Sequence, residues 1–200
     1  MFMLMFGQMK KKQRNRKKDI PVKRISKLTG VLILLLLVGC TREPTYIEKA
    51  AQYLEDGHYN EAVKYSELAI FNEEDVALAW RIIGMVRFRE QNFAEASEAL
   101  LIALENGGEK TPIIFNMLGV NALRAGNLEE AIEFFNAGLA IDVINIQDYS
   151  EVIRSMKINR IAAYEWLYDW EMAKQLMAEY VLLYPDDEGA RREFIFLETR

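Results

Sequence analysis

From residue 46 onward, apolar residues recur three and four positions apart, and short polar segments interrupt them at regular intervals. Trp80 and Ile83 stand on one helical face before the polar segment 90–92, and Ala96 and Leu100 stand on another face after it. This spacing is typical of amphipathic α-helices. The pattern predicts helical hairpins and no strand.

The opening of the second helix recurs four times along the chain. Each opening carries an alanine, and these alanines lie 34, 35 and 42 residues apart, at Ala62, Ala96, Ala131 and Ala173. A small residue at this point allows the two helices of a hairpin to approach closely. Because the last period is longer by about two helical turns, we expect the first helix of the last hairpin to extend over about 148–167.

Polar residues mark where the helices begin. His58, Asn92, Asn127 and Asp169 follow the turns, and Glu61, Glu95 and Glu130 stand three residues after the first three of them. This combination predicts capping boxes. Thr111-Pro112 predicts a further helix start, and Asp186 predicts the start of a last helix after Pro185.

One set of residues closely resembles the tetratricopeptide repeat, a helix-turn-helix unit of 34 residues. The set is Trp80, Gly84, Phe93, Ala96, Leu100 and Ala103. The resemblance covers roughly residues 44–185 and implies an all-α, right-handed superhelix of about four repeats with a C-terminal cap helix, nine helices in total. The expected domain is 46–200, with repeats at about 43–76, 77–111, 112–146 and 147–185 and a solvating cap helix at 186–198.

The first 39 residues have the order of a secretory signal. A basic segment precedes an apolar core, residues 28–39, whose 12 residues fall short of the roughly 20 that span a bilayer. The core ends in Leu37-Val38-Gly39-Cys40, which resembles a bacterial lipobox. This resemblance implies cleavage of residues 1–39, lipidation of Cys40, the only cysteine, and a tether at 40–45. An uncleaved signal anchor is the alternative, and translation could start at Met1 or Met9.

Charge separates the leader from the rest of the chain. The chain has a net charge of −5, and residues 1–39 carry ten basic side chains and one acidic one, so +9 lies in the leader and −14 in residues 40–200. An acidic body repels nucleic acid and anionic lipid surfaces. We therefore expect no nucleic-acid partner, and contact with the membrane only through lipid on Cys40.

The sequence does not favour an enzymatic function. The single histidine, His58, stands at a helix start, no cysteine follows Cys40, and residues 186–188 lack the spacing of a calcium loop. Gly107-Gly108 follows no strand and is a turn between helices. We expect no catalytic residue, no metal site and no cofactor.

The resemblance also implies where a partner binds, because the first helix of each repeat lines the concave wall. The predicted peptide-binding residues are Arg81, Met85, Phe88, Arg89, Asn116, Val120, Leu123 and Arg124, with Ile158, Ala162 and Glu165 in the fourth repeat. They suit an extended or helical peptide with an acidic group. Two alternatives stay open: Phe88 and Leu123 belong to the core, and the arginines pair with neighbouring glutamates.

These features together predict a lipid-anchored scaffold for protein–protein interactions on the outer face of a bacterial membrane, or at an outer membrane if the organism has one. Its expected role is assembly or stabilisation of an envelope complex. The alternatives are a lipid-anchored receptor or regulator that captures a soluble peptide or polymer, and an accessory subunit of a cell-wall enzyme. Ile47 and Ala51 occupy the places where chaperone-binding repeats resemble one another in a Lys and Asn clamp, so a chaperone-tail receptor is not expected.

Overall fold

Nine α-helices follow one another in the described part of the chain, residues 42–142 and 149–200 of the computed structural model, and no strand occurs there. They are α1 Tyr46–Glu55, α2 Tyr59–Phe71, α3 Val76–Arg89, α4 Phe93–Glu105, α5 Pro112–Ala125, α6 Leu128–Leu139, α7 Ser150–Trp166, α8 Trp170–Leu183 and α9 Glu188–Leu197. Pro44–Arg200 is one compact unit. The predicted all-α fold is confirmed. The leader and Cys40 lie outside the described residues.

The two helices of each hairpin join through the same tight turn. Its central residue has a left-handed φ in all four hairpins: Gly57 (76°), Gln91 (61°), Gly126 (82°) and Tyr168 (60°). The amide of the next residue then donates to the carbonyl five residues earlier, as His58 does to Tyr53 at 2.8 Å. This is the Schellman ending of a helix. The carbonyl of His58 accepts from the amide of Ala62 at 2.9 Å, so one residue ends a helix and starts the next.

The predicted capping boxes do not form. His58, Asn92 and Asn127 begin α2, α4 and α6 without a side-chain bond to a backbone amide, and Asn127 instead donates to the carboxylate of Glu130 at 3.2 Å. Asp169 has similar backbone angles and does accept from the amide of Met172, at 3.2 Å. The turn therefore permits the cap, but its repeated backbone bonds define the helix start without it.

Other helix starts use side chains. Thr111 accepts from the amide of Ile114, with Pro112 in the first turn of α5, as the sequence predicts. Thr45 forms a capping box that the sequence analysis missed: its hydroxyl accepts from the amide of Glu48, whose carboxylate accepts from the amide of Thr45 at 2.8 Å. Asp187, rather than the predicted Asp186, caps α9.

Small residues set the distance between helices. The four recurring alanines are fully buried. At Gly84 on α3, a Cβ atom would lie 2.7 Å from Cγ of Leu100 on α4, so only glycine allows this crossing. Apolar side chains then fill the space from one hairpin to the next, and the core runs as a series of clusters along the array.

The longer fourth period does not lengthen the first helix by two turns. α7 has 17 residues, against 14 in α3 and in α5. α7 begins at Ser150 and ends at Trp166, within two residues of the predicted bounds of about 148–167. Its apolar face is kept, since Met156 and Ile161 are buried.

The cap helix differs from the predicted solvating helix. Ala190 and Leu197 of α9 are buried against α8, as expected from their spacing. Ile195 and Phe196, however, are 63% and 41% exposed. The outer surface of α9 is thus part apolar, because both residues lie off the helical face that Ala190, Phe194 and Leu197 turn toward the core.

Candidate functional site

The predicted binding wall occupies four equivalent positions on the first helix of each repeat, which lie 15, 11, 8 and 7 residues before the recurring alanine. On α3 these are Arg81, Met85, Phe88 and Arg89, and on α5 Asn116, Val120, Leu123 and Arg124. The structure separates these residues into a packed apolar group and a polar group whose arginines form no ion pair with described residues.

The apolar group holds the repeats together. Leu123 is only 7% exposed and lies in the cluster that contains Phe135 of α6 and Met156 of α7. This burial fits the alternative that Leu123 belongs to the core. Met85 and Phe88 are half-buried and pack against the cluster of α4 and α5. Burial of apolar area favours this packing, so these side chains offer little of their surface to a partner.

The polar group is the three arginines. Arg81 is half-buried and lines a cavity of about 340 Å³ between α3 and the start of α5. Arg89 is exposed, and its Nη1 donates to the hydroxyl of Tyr59 at 3.2 Å, with the guanidinium carbon 5.8 Å from the ring centroid. Arg124 is exposed at the end of α5.

None of these three arginines forms an ion pair with a described residue, whereas Arg87 and Arg154 do. Arg87 lies 2.7 Å from Glu90 and 3.0 Å from Glu95. Arg154 lies 2.7 Å from Asp187. The alternative that glutamates neutralise the predicted wall is thus not observed in the described part of the chain. Three guanidinium groups remain able to bind a carboxylate or phosphate in bidentate geometry.

Asn116 adds an uncompensated polar atom to α5. Its side chain is half-buried, and its Oδ1 is buried without a hydrogen-bond partner. Buried polar atoms in proteins are nearly always paired. Burial therefore leaves Asn116 with an unsatisfied acceptor on α5, and only its exposed atoms are open to a partner.

The fourth repeat completes the wall. Ile158, Ala162 and Glu165 line a cavity of about 360 Å³ between α7 and α9. Trp166, which the sequence analysis missed, is 54% exposed. It lies seven residues before Ala173, the position of Arg89 and Arg124 in their repeats. Extension of the repeat alignment by one residue would have found it.

The expectation of no catalytic residue and no metal site concerns His58 and the acidic side chains. His58 is exposed, with its ring 6.1 Å from that of Tyr53 in an edge contact. Within residues 42–142 and 149–200, no group of three or more histidine, cysteine or acidic residues could hold a metal ion. Among the described helices, none has the length and apolar character to cross a bilayer.

Comparison with known proteins agrees with this architecture. The family model described as Tetratricopeptide repeat matches residues 83–142. Among solved structures, the crystal structure of the APC/C hetero-tetramer Cut9-Hcn1 is similar, with a TM-score of 0.55 at 20% identity over 76% of this chain. Residues 83–142 thus match the tetratricopeptide-repeat family, and the described chain has the all-α fold of such repeats. This chain spans 29% of the length of that APC/C chain, and no curated protein matches its sequence.

The structural likeness shows the fold and nothing of a partner. Such repeats form scaffolds for protein–protein interaction and are typically non-catalytic. Repeat arrays bind through extended concave surfaces. The first helices of this chain, with arginines that form no ion pair with described residues, are therefore the candidate interaction surface.

Proposed function

We propose that this protein is a lipid-anchored adaptor on the outer face of a bacterial membrane, where it captures an acidic segment of a protein in an envelope complex. The observation that carries the proposal is the absence of ion pairs at Arg81, Arg89 and Arg124 among the described residues. Guanidinium groups that form no ion pair within the described protein break none when they bind a carboxylate, and Arg89 gives up at most its contact with Tyr59. Binding therefore gains charge-assisted hydrogen bonds at little internal cost.

The anchor rests on the sequence around Cys40. A short apolar core followed by a lone cysteine supports attachment through lipid in place of a protein helix. Several acyl chains hold a protein far more firmly than a single chain does. The first helix begins at Tyr46, so few residues separate the proposed lipid from the repeats.

Labelling with a fatty-acid analogue tests the anchor. We expect the wild-type chain to carry the label and to sediment with membranes. Because Cys40 is the only cysteine, Cys40→Ser should abolish thioether lipidation and release the protein. Label that persists in Cys40→Ser would disprove the anchor.

Crosslinking in intact cells, followed by purification, tests the capture. The charge-reversed variant Arg81→Glu, Arg89→Glu, Arg124→Glu should lose the envelope partners that the wild type retains. Its matched control is Lys64→Glu, Lys110→Glu, Arg191→Glu, which makes the same change in net charge at exposed residues. Equal capture by both variants would show that the arginines are not the site, and equal loss would show an effect of net charge alone.

The identity of the retained partner separates the two alternative functions. A cell-wall enzyme as the partner would favour the accessory-subunit role, and a soluble peptide or polymer would favour the receptor role. Either result would contradict the proposed role in an envelope complex.

A further inference from the structure

A cavity of about 360 Å³ between α7 and α9 lies beyond the arginine wall. Ile158, Ile161 and Met177 supply its apolar lining, and Glu165 and Glu193 supply two carboxylates. Its volume falls at the lower end of the range for ligand pockets, about 300–1,000 Å³. The size suits a single side chain of a partner better than a large cofactor.

Glu165 occupies a position that the repeats otherwise keep apolar. The residues eight positions before the recurring alanine are Leu54, Phe88, Leu123 and Glu165. Leu54 and Phe88 pack against core clusters, and Leu123 is a core residue. A carboxylate that is partly buried at this position loses hydrating water. This loss costs free energy that an apolar side chain would not pay.

No described residue compensates the charge of Glu165. Its Oε1 is buried without a hydrogen-bond partner, and neither Glu165 nor Glu193 forms an ion pair within the described ranges. Burial, and then the like charge of Glu193, raises the pKa of Glu165. Arg160, on the same helix, donates to Asn136 at 2.7 Å and leaves Glu165 unpaired.

Asp187 also borders the cavity, but its charge is already balanced. Its Oδ2 lies 2.7 Å from Nη2 of Arg154 and accepts from the hydroxyl of Tyr180 at 3.0 Å. Its Oδ1 accepts from the amide of Ala190. Glu165 and Glu193 are therefore the two acidic groups of the cavity with unused acceptor capacity.

We propose that this cavity receives a lysine or arginine side chain of the bound partner, with Glu165 and Glu193 around the cationic head and the apolar lining around its stem. Long basic side chains bury their methylene groups along apolar surface in this way. The inference rests on the proposed function for the identity of the partner. It also gives the bound partner a direction along the array: its acidic segment lies at α3 and α5, and its basic residue lies at α7 and α9.

A titration of the full-length protein in detergent tests the cavity without the natural partner. The methyl group of Met177, which lines the cavity, is observed by NMR during addition of N-acetyl-arginine amide or its neutral counterpart N-acetyl-citrulline amide. We expect a saturable shift with the arginine compound and about tenfold weaker binding of the citrulline compound, because charged hydrogen bonds are lost.

Isosteric variants identify the residues responsible. Glu165→Gln and Glu193→Gln should each weaken binding of the arginine compound about tenfold, while Glu133→Gln, at an exposed site on α6, should leave it unchanged. Equal binding of the two compounds, or no effect of Glu165→Gln, would overturn the proposal. A larger shift of the Met177 methyl with calcium chloride would also overturn it, in favour of a cation site for metal.

The titration of the cavity and the crosslinking test of the proposed function can fail independently of each other. Binding of the arginine compound without any captured partner would reject the proposed function and keep the cavity. Capture of a partner by a protein whose cavity ignores the arginine compound would keep the function and reject the cavity.

Discussion

Arg154 of α7 forms an ion pair with Asp187, the N-cap residue of α9. Nη2 of Arg154 lies 2.7 Å from Oδ2 of Asp187. Nε of Arg154 also donates to the hydroxyl of Tyr180 on α8 at 2.8 Å. Three helices thus meet at one polar cluster. This cluster fixes α9 to the two helices before it.

Asp187→Asn should therefore loosen α9. The variant keeps the shape of the side chain but loses the charge that Arg154 requires, and it weakens the cap on the amide of Ala190. We expect a lower midpoint of thermal unfolding and faster amide exchange in α9 than in α3. Asp186→Asn, at an exposed neighbour that does not cap the helix, is the control, and equal loss in both variants would contradict the role of the cluster.

The same carboxylate predicts loss of stability in acid. Its bond from the Ala190 amide, then those from Arg154 and Tyr180, lower the pKa of Asp187 from 3.8 to about 2. A lowered folded pKa stabilises the protein above the unfolded value, and this stabilisation disappears as the pH falls toward the folded value. The difference in unfolding free energy between wild type and Asp187→Asn should shrink from about pH 4 to about pH 2. A difference independent of pH would show that the charge of Asp187 contributes nothing.

Glu165 predicts the opposite dependence on pH. Burial raises its pKa above 4.5, so the folded protein binds the proton more tightly than the unfolded chain does, and stability falls as the pH rises through the raised value. Glu165→Leu restores the leucine present in two other repeats and should stabilise the protein by about 1 kcal/mol at neutral pH. Chemical denaturation at pH 7 and pH 4.5 measures both values. The gain should be smaller at pH 4.5, and a destabilised variant would show that the carboxylate has a compensating partner.

The turns offer a matched pair of substitutions. Gln91 has a φ of 61° and Gly126 has 82° at the equivalent position, and left-handed backbone is costly for a residue with a Cβ atom. Gln91→Gly should stabilise the fold by about 0.5–1 kcal/mol, and Gly126→Ala should destabilise it by a similar amount. No atom lies within 4 Å of a Cβ at Gly126, so the effect there reports the backbone alone. Shifts of the same sign in the two urea midpoints would refute the argument.

The crossing of α3 and α4 predicts a steric effect. In Gly84→Ala the new methyl would lie 2.7 Å from Cγ of Leu100 and 3.2 Å from its amide nitrogen. We expect a loss of about 1–3 kcal/mol from overpacking. The double variant Gly84→Ala, Leu100→Ala should lose less than the sum of the single losses, because truncation of Leu100 removes the clash. Additive losses would place the cause elsewhere.

The periodic spacing of apolar residues and the four recurring alanines determined that the chain is all-α and where each hairpin turns. These features are local, since a helical face and a small residue at a crossing are written in consecutive residues. The prediction that Arg81, Arg89 and Arg124 line a binding wall needed the family resemblance as well as the repeat period.

Tertiary structure decided whether each predicted wall residue is buried or exposed and whether its charge is paired. Leu123 and Arg124 are neighbours in sequence, yet one enters the core between α6 and α7 and the other is exposed. The pairing of Arg154 with Asp187 joins residues 33 positions apart, and the isolation of Glu165 depends on which charges the packing of α7 and α9 leaves out of reach. A sequence specifies which side chains share a face, but burial and charge compensation depend on distances that exist only once the helices have packed.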